Sequence, residues 1–317
     1  MGTLTNIQGI TVGHSTNLEA LTGCTVILCE QGGVAGVAIP GSATGTEETE
    51  LLRPGHITDK IHGVCFAGGS AFGLEAVSGV RRFLEHKGIG FSTPGGPVPL
   101  VAGAILYDLG IAKRGVRPTR EMGESASAAA SSAAVLEGAV GAGTGATVGK
   151  IFGPKQMMKS GLGSACTQVG DGVNVAALAV VNALGDVIDP ETGRIVAGAR
   201  TSAESREFAN TTQTMLRVAK AAGFSKEHTT LVCVATDAAL DKVQMTKVAQ
   251  LATIGMARTI SPVFTMSDGD IVIALSTGTR KASVDVVGIA ASIVVSEAIL
   301  RAVRLAPTIN GIPGLKS

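Results

Sequence analysis

The 317-residue sequence predicts an α/β protein in which β-sheets form the centre and helices cover the outside. Two observations support this prediction. Apolar, β-rich segments occur in groups, and long helical patterns follow in blocks, without the steady alternation of a doubly wound sheet. No linker or composition break divides the chain and no internal repeat is evident, so we expect a single domain over residues 1–317.

The first half of the chain begins with β-rich segments. The stretch "TGCTVILCEQGGVAGVAIPGSA" predicts two strands joined in a hairpin at Gln31-Gly32-Gly33. The stretch "HGVCFAGGSAFGLEAVSGVRRFLEHKG" predicts a strand, a glycine-rich turn and a helix over about residues 71–86. The small side chains of "ESASAAASSAAVLEG" favour another helix, one suited to close packing.

The second half repeats this organisation. The stretch "NVAALAVVNALGDVIDPETGRIVAG" predicts a strand pair, and residues 203–222 have a helical pattern. A strand is expected from Thr229 to Thr236, with Asp237 as the cap of the helix that follows. A further strand follows the "SDGD" segment, residues 267–270, and a last helix spans about residues 284–303.

The composition argues against nucleic acid and membranes as partners and against secretion. The chain has 26 basic and 25 acidic residues, a formal net charge of +1 and no dense basic cluster, so we expect neither nucleic acid nor membrane as a partner. The N-terminal stretch lacks the basic flank and apolar run of a secretory signal, and no run of about 18 uncharged apolar residues occurs. We therefore expect a cytoplasmic protein.

The cysteines and histidines predict no metal site. The five cysteines are scattered and lie mostly in apolar runs, which favours reduced thiols in the core. The five histidines show no pairing at helical spacing and no cysteine pair at zinc spacing. The sequence therefore predicts neither a metal nor another cofactor.

Two glycine-containing motifs are similar to known functional motifs but do not match their residue spacing. In "EGAVGAGTGATVGK", five residues separate Gly143 from Gly149 and Ile151 follows Lys150, which excludes a Walker loop. In "GGSAFG", the residues after Ser70 break the spacing of a Gly-x-Ser-x-Gly elbow. What remains of the first motif is a glycine-rich loop that delivers one lysine, Lys150.

The segment "KEHTTLVCVATDAAL" opens a strand with two threonines, Thr229 and Thr230. Threonine favours strands, so the pair alone indicates only local structure. A cut before Thr229 would give its hydroxyl an α-amine, with a pKa of about 8, as its own general base. Asp268 and Asp270 follow about forty residues later in "SDGD", either as an ordinary hairpin turn or as carboxylates that orient the amine.

Six segments together resemble the family of the L-aminopeptidase/D-esterase, the β-peptidyl aminopeptidases and the nylon-oligomer (6-aminohexanoate oligomer) hydrolase. The resemblance extends over nearly the whole chain. It implies an N-terminal nucleophile hydrolase with a four-layered αββα fold, no cofactor and a homotetrameric assembly. The segments are, in order, "GGSAFGLEA", "VAGAILYDL", "GAGTGATVGK", "AVVNALGDVID", "HTTLVCVATD" and "SDGD".

The resemblance also implies self-cleavage and a set of site residues. The cut would fall between His228 and Thr229 and leave fragments 1–228 and 229–317 together. The implied roles are Thr229 as nucleophile, Asp268 and Asp270 as holders of its amine and hydroxyl, Asn182 as oxyanion donor, Lys150 close to the nucleophile and Tyr107 in the pocket.

The chain departs from this family at two places. His228 stands where relatives usually carry Asn or Gly before the nucleophile. Aminopeptidase members present a glutamate to the substrate amine where this chain has only "VAGAIL" before Tyr107. The second departure favours endo cleavage of small peptides or uncharged aliphatic oligoamides.

Three alternatives stay open. They are an exo-acting aminopeptidase on N-terminal or β-amino acids, an acyltransferase of the ornithine acetyltransferase type, and an uncut binding protein without enzymatic activity. A second Asn-Thr-Thr candidate, at residues 210–212, lies in a helical pattern and precedes no buried strand, so we interpret it as a decoy.

Overall fold

The computed structural model describes residues 2–217 and 228–316, and within them it has sixteen strands and five α-helices. The strands are β1 (Thr11–Asn17), β2 (Thr22–Ala38), β3 (Gly45–Glu47), β4 (Lys60–Ala67), β5 (Phe91–Thr93), β6 (Gly96–Val98), β7 (Val101–Ile105), β8 (Thr147–Val148), β9 (Met158–Lys159), β10 (Leu162–Val169), β11 (Val173–Asn182), β12 (Asp186–Ile188), β13 (Ile195–Ala197), β14 (Thr229–Ala238), β15 (Ile260–Ser261) and β16 (Ile271–Arg280). The helices are α1 (Glu75–His86), α2 (Arg120–Ala128), α3 (Thr211–Arg217), α4 (Lys242–Thr259) and α5 (Val284–Arg304).

Nine strands form one continuous hydrogen-bonded system. Their order is β10-β11-β14-β16-β2-β4-β7-β3, with β1 paired to β2. The long strand β2 takes part in two layers, because its first half pairs with β1 and β4 and its second half pairs with β16. The predicted hairpin at residues 31–33 is therefore wrong. Gly32 has φ +80° and the register shifts between Leu28 and Gly33, so the chain makes a bulge and continues as one strand.

Three apolar cores separate four layers of secondary structure. The core between the two sheet layers includes Ile27, Phe66, Leu178, Leu231 and Ile273. A second core lies between one sheet layer and helices α4 and α5, and a third lies between the other layer and helices α1 and α2. Strand residues alternate between neighbouring cores, as the two-residue period of a strand requires. This confirms the αββα prediction.

The small-residue helix is shorter than predicted. Helix α2 begins after Thr119, whose side chain accepts the Met122 N–H, and ends at Ala128. Beyond it, Ser131 exchanges two backbone hydrogen bonds with Val12 in β1. The chain after α2 therefore pairs with a strand edge, and these long-range bonds outweigh the helix propensity of its alanines.

The helix predicted over residues 203–222 also differs. Residues 203–210 are irregular, and helix α3 begins at Thr211 after Asn210, which has φ +58°. The Asn210 side chain accepts the Gln213 N–H and so caps the helix. The part of the prediction that covers residues 218–222 lies outside the described residues.

Two details near the last helices also differ from expectation. Asp241 caps α4, and the proposed cap Asp237 instead accepts hydrogen bonds from the backbone and side chain of Asn174. The strand before "SDGD", β15, pairs with β12, and β16 pairs with β14 and β2, so within the described residues "SDGD" is not the turn of a hairpin. Helix α5, predicted over residues 284–303, is confirmed. By length and composition alone it could cross a membrane, but most of it is buried against the sheet, as in a core helix.

Candidate active site

Strand register brings the predicted residues to one end of the central strands. Antiparallel pairing of β11 with β14 places Asn182 directly opposite Thr229. Parallel pairing with the chain before β16 places His228 beside Asp268, so the next residue, Gly269, lies beside Thr229. Leu231 and Val180 face the core between the sheets, and the two-residue period therefore puts Thr229 and Asn182 on that same face.

Two donors bind the carbonyl oxygen of the peptide between His228 and Thr229. The Thr229 hydroxyl donates to the His228 carbonyl oxygen at 2.5 Å. The Gly269 N–H donates to the same oxygen at 2.7 Å. Thr229 is 3% exposed, so both bonds lie in a buried environment.

Gly269 has no room for a side chain. A Cβ at this position would lie 2.7 Å from the Thr229 Oγ and 2.7 Å from the Ala43 carbonyl oxygen. Its glycine identity therefore lets the backbone N–H approach the His228 carbonyl while leaving the hydroxyl in place. Sequence reasoning missed this residue, although its position between two aspartates was visible.

The two carboxylates accept hydrogen bonds from Thr230 and from the segment before β16. Asp270 Oδ1 accepts the Thr230 N–H at 2.6 Å, and its Oδ2 accepts the Phe264 N–H at 3.2 Å. Asp268 Oδ2 accepts the backbone N–H and the hydroxyl of Thr265 at 2.9 and 2.6 Å. Thr265 is a second residue that sequence reasoning did not find.

Burial disfavours the charged forms of both carboxyl groups. Burial, followed by the nearby Asp268 charge, raises the pKa of Asp270 from 3.8 to about 7. Burial also raises the pKa of Asp268, while the bonds from Thr265 and the charge of Lys150 oppose that rise. The pair therefore retains a proton to higher pH than exposed aspartates do, and its two titrations are coupled.

A short loop, residues 41–43, donates hydrogen bonds to the backbone of the segment that carries Asp268 and Asp270. The N–H groups of Ser42 and Ala43 both donate to the Asp268 carbonyl at 2.9 Å, and the Gly41 N–H donates to the Asp270 carbonyl at 3.2 Å. A Cβ on Gly41 would lie 2.2 Å from the Asp270 nitrogen, so only glycine permits this approach. The carboxylates thus sit on a rigid backbone.

Asn182 and Lys150 form the polar group opposite Thr229. The Lys150 Nζ donates to the Asn182 Oδ1 at 2.6 Å and to its carbonyl oxygen at 2.9 Å. The Thr147 N–H also donates to Oδ1, at 3.1 Å, and the Asn182 Nδ2 donates to the Tyr107 carbonyl at 3.0 Å. Because both partners of Oδ1 are donors, the orientation of the carboxamide is determined.

The glycine-rich loop delivers Lys150 to this position. Gly149 has φ +70°, and a Cβ there would lie 2.0 Å from the Ala199 nitrogen. The N–H groups of Gly149 and Lys150 donate to the carbonyls of Gly185 and Leu184, each at 3.1 Å. The loop that failed as a phosphate motif therefore serves to turn one lysine toward Asn182.

A cleft of about 160 Å³ adjoins Lys150 and Tyr107. Its other lining residues are Asp108, Gly110, Ile111, Gly145, Thr147, Gly153, Pro154 and Met157. Sequence reasoning missed Asp108. Its position, directly after the single tyrosine of the sequence and at the end of an apolar stretch, could have indicated it. Its carboxylate accepts the Thr22 hydroxyl and the Gly69 N–H, both at 2.7 Å, and burial raises its pKa.

The predicted site residues therefore lie together. A hydroxyl, two buried carboxylates, a carboxamide and an ammonium group meet at one end of the sheets, next to a partly apolar cleft. Groups of these types can supply a nucleophile, proton acceptors and oxyanion donors, which are the requirements of acyl transfer.

Comparisons with known proteins agree with this chemistry. An uncharacterized aminopeptidase of Mycobacterium leprae is 38% identical over 347 residues, covering 99% of this chain and 93% of the relative. The 6-aminohexanoate-oligomer endohydrolase of Kocuria sp. is 30% identical over 278 residues, covering 86% of this chain and 74% of the relative.

A solved structure supports the fold. The L-aminopeptidase D-Ala-esterase/amidase of Ochrobactrum anthropi, described as a variant of the Ntn hydrolase fold, superposes with a TM-score of 0.75 at 22% identity. The match covers 98% of this chain and 88% of that one. The model of peptidase family S58 matches residues 2–317. The chain is a hydrolase that acts on amide bonds, and it belongs to peptidase family S58.

Proposed function

We propose that this protein is a self-processing amidohydrolase in which Thr229 is the nucleophile after cleavage of the His228–Thr229 bond. The observation that carries the proposal is the pair of donors on the His228 carbonyl oxygen, the Thr229 hydroxyl and the Gly269 N–H. A hydroxyl adjacent to the peptide it would attack, with a backbone donor for the developing charge, supports an intramolecular acyl shift.

Self-cleavage would proceed in two steps, an N-to-O acyl shift and hydrolysis of the resulting ester. The Thr229 Oγ attacks the His228 carbonyl carbon and loses its proton, while the Gly269 N–H stabilises the charge on the carbonyl oxygen. The hydroxyl proton passes to the Thr229 nitrogen, the C–N bond breaks, and an ester links the two residues. Water hydrolyses that ester to give the His228 carboxylate and a free Thr229 amine and hydroxyl.

Turnover would use the new amine. It accepts the hydroxyl proton as Thr229 attacks a substrate amide, and the adjacent carboxylates of Asp268 and Asp270 orient it. Asn182 donates to the substrate oxyanion, with Lys150 holding its carboxamide oxygen. The amine of the product leaves with a proton, and water cleaves the acyl ester.

The substrate class we favour is small peptides and aliphatic oligoamides cut at internal bonds. The cleft presents apolar surface from Ile111, Pro154 and Met157. Each methylene buried there contributes about 0.8 kcal/mol, which suits long aliphatic units. The 6-aminohexanoate-oligomer endohydrolase among the relatives acts on substrates of this chemistry, as its name states.

Asp108 supports a second candidate, an exo-acting aminopeptidase. Asp108 lines the same cleft, and its carboxylate could accept a substrate ammonium group through its remaining lone pairs. The aminopeptidase named among the relatives is consistent with this reading. The two candidates differ in whether a free amine is required.

Two measurements test the proposal. Denaturing mass spectrometry of the purified protein should reveal fragments 1–228 and 229–317. The cleaved protein is then compared on 6-aminohexanoate oligomers with free and with N-acetylated amines. Similar kcat/KM for both supports endo cleavage, whereas activity restricted to the free amine supports the aminopeptidase. An intact chain with full amidase activity would refute the threonine mechanism.

A further inference from the structure

Lys159, in β9, is a fully buried lysine outside the residues considered so far. Its Nζ donates to the carbonyl oxygens of Gly143, Ala146 and Ser160 at 3.2, 2.8 and 2.5 Å. An ammonium group has three N–H donors, so these three acceptors match its capacity. Burial lowers the pKa of Lys159 to about 7, and the negative charge of Asp108 opposes that shift.

One of these carbonyls belongs to a peptide group that also binds Asn182. The carbonyl of Ala146 accepts from Lys159, and the N–H of the same peptide, on Thr147, donates to the Asn182 Oδ1 at 3.1 Å. A cation on the oxygen of a peptide polarises its N–H and strengthens the bond that this N–H donates. Lys159 is thus linked to Asn182 through a single peptide unit.

The same contact also restrains the loop. Residues Gly143 and Ala146 lie within the glycine-rich segment before β8, where backbone freedom is greatest. The Ser160 N–H adds a second bond to the Ala146 carbonyl at 3.0 Å. Together they hold the Thr147 N–H in place, and this N–H is one of the two donors to Oδ1 that orient the Asn182 carboxamide.

We propose that Lys159 is a positioning residue for the reaction: through the Ala146–Thr147 peptide it orients and polarises the Asn182 carboxamide, the oxyanion donor opposite Thr229. This inference rests on the proposed function for the role of Asn182. Its effect is expected on kcat, because an oxyanion donor acts on the transition state, and not on KM.

The test compares Lys159→Met with Lys242→Met. Lys242 is a matched control, because it is also buried and its Nζ donates to the backbone carbonyls of Leu51 and Thr58, away from Asn182. Rates on an oligoamide are normalised to the cleaved fraction from mass spectrometry. We expect Lys159→Met to lower kcat by about 10-fold or more with KM unchanged, against up to about 10³-fold for full loss of an oxyanion donor. Lys242→Met should lower the free energy of unfolding and leave kcat and KM unchanged.

A double-mutant cycle separates positioning from general structure. In an Asn182→Ala background, Lys159→Met should lower kcat by less than 3-fold, about 0.6 kcal/mol, because its target is gone. Equal effects of Lys159→Met in both backgrounds, or no effect in the native one, would overturn the proposal. If Lys159→Met does not fold, Lys159→Gln, which keeps two N–H donors, replaces it. If Asn182→Ala itself has no effect, the proposed function fails instead.

Discussion

The sequence contains two Thr-Thr pairs, at residues 211–212 and 229–230, and their surroundings differ. Thr211, the first residue of α3, directs both its N–H and its hydroxyl to the Asp186 carboxylate, at 2.6 and 2.7 Å. Thr229, the first residue of β14, directs its hydroxyl to the carbonyl of the residue before it, at 2.5 Å. Both hydroxyls are buried and hydrogen-bonded, but only the second lies against the peptide it would cleave.

The group that bonds the hydroxyl therefore distinguishes the two sites, whereas the Thr-Thr dipeptide itself does not. At Thr211 a carboxylate satisfies the hydroxyl and ties it to a helix start, which is a structural arrangement. At Thr229 the Asp270 carboxylate bonds the next residue, Thr230, instead, and the Gly269 N–H donates to the His228 carbonyl.

The largest effect is expected from the two alanine variants at these sites. Thr229→Ala should remain full length on a denaturing gel and lose at least about 10³-fold in amidase rate, because it lacks the proposed nucleophile. Thr211→Ala should still be cut and should keep its rate per folded molecule. Cleavage of Thr229→Ala at residue 228, or loss of cleavage in folded Thr211→Ala, would break the comparison.

Gly269→Ala should slow self-cleavage by roughly 10- to 100-fold. A displaced backbone N–H would stabilise the oxyanion less well, but the loss should be smaller than for complete removal of an oxyanion donor. The new Cβ would lie 2.7 Å from the Thr229 Oγ and displace it. Time courses of fragment appearance after synthesis measure the rate. Gly95→Ala is the control, since the nearest atom to its Cβ, the Thr93 Oγ1, is 3.8 Å away. Unchanged rates in both variants would remove Gly269 from the mechanism.

Thr211→Val should lower the free energy of unfolding by about 1–3 kcal/mol without changing the amidase rate. The change keeps the side-chain shape and removes one donor from the buried Asp186 carboxylate. Urea unfolding of the uncut Thr229→Ala chain, with and without Thr211→Val, measures the difference. A change below 0.3 kcal/mol would argue that the Asp186 contact is not stabilising.

A final expected effect concerns stability and not activity: the free energy of unfolding should depend on pH through the Asp270 carboxyl group. Its pKa is raised from 3.8 to about 7 in the folded chain, so the folded state binds this proton more tightly than the unfolded state does. The free energy of unfolding contributed by this group therefore falls as pH rises from about 4 to about 7 and is constant above that range. In the Thr229→Ala background, adding Asp270→Asn should make the decline shallower. Identical slopes in urea unfolding from pH 4 to 8 would contradict the raised pKa.

Features that depend on local pattern and on shared motifs could be predicted from the sequence. Apolar periodicity predicted the strand that begins at Thr229 and the last helix, because alternation and helical spacing are local properties. The ordered motifs predicted the αββα fold and the family. They also nominated Asn182, Lys150 and the two aspartates, which lie together around Thr229.

The way in which distant segments pack and pair became clear only from the tertiary structure. Gly32 could serve a hairpin or a bulge, and pairing with both sheet layers selected the bulge. The parallel register of β14 and β16 placed Gly269 beside Thr229, and burial gave Lys159 three carbonyl partners. These outcomes depend on contacts between residues far apart in the chain and on exclusion of water, and neither property can be read from local sequence.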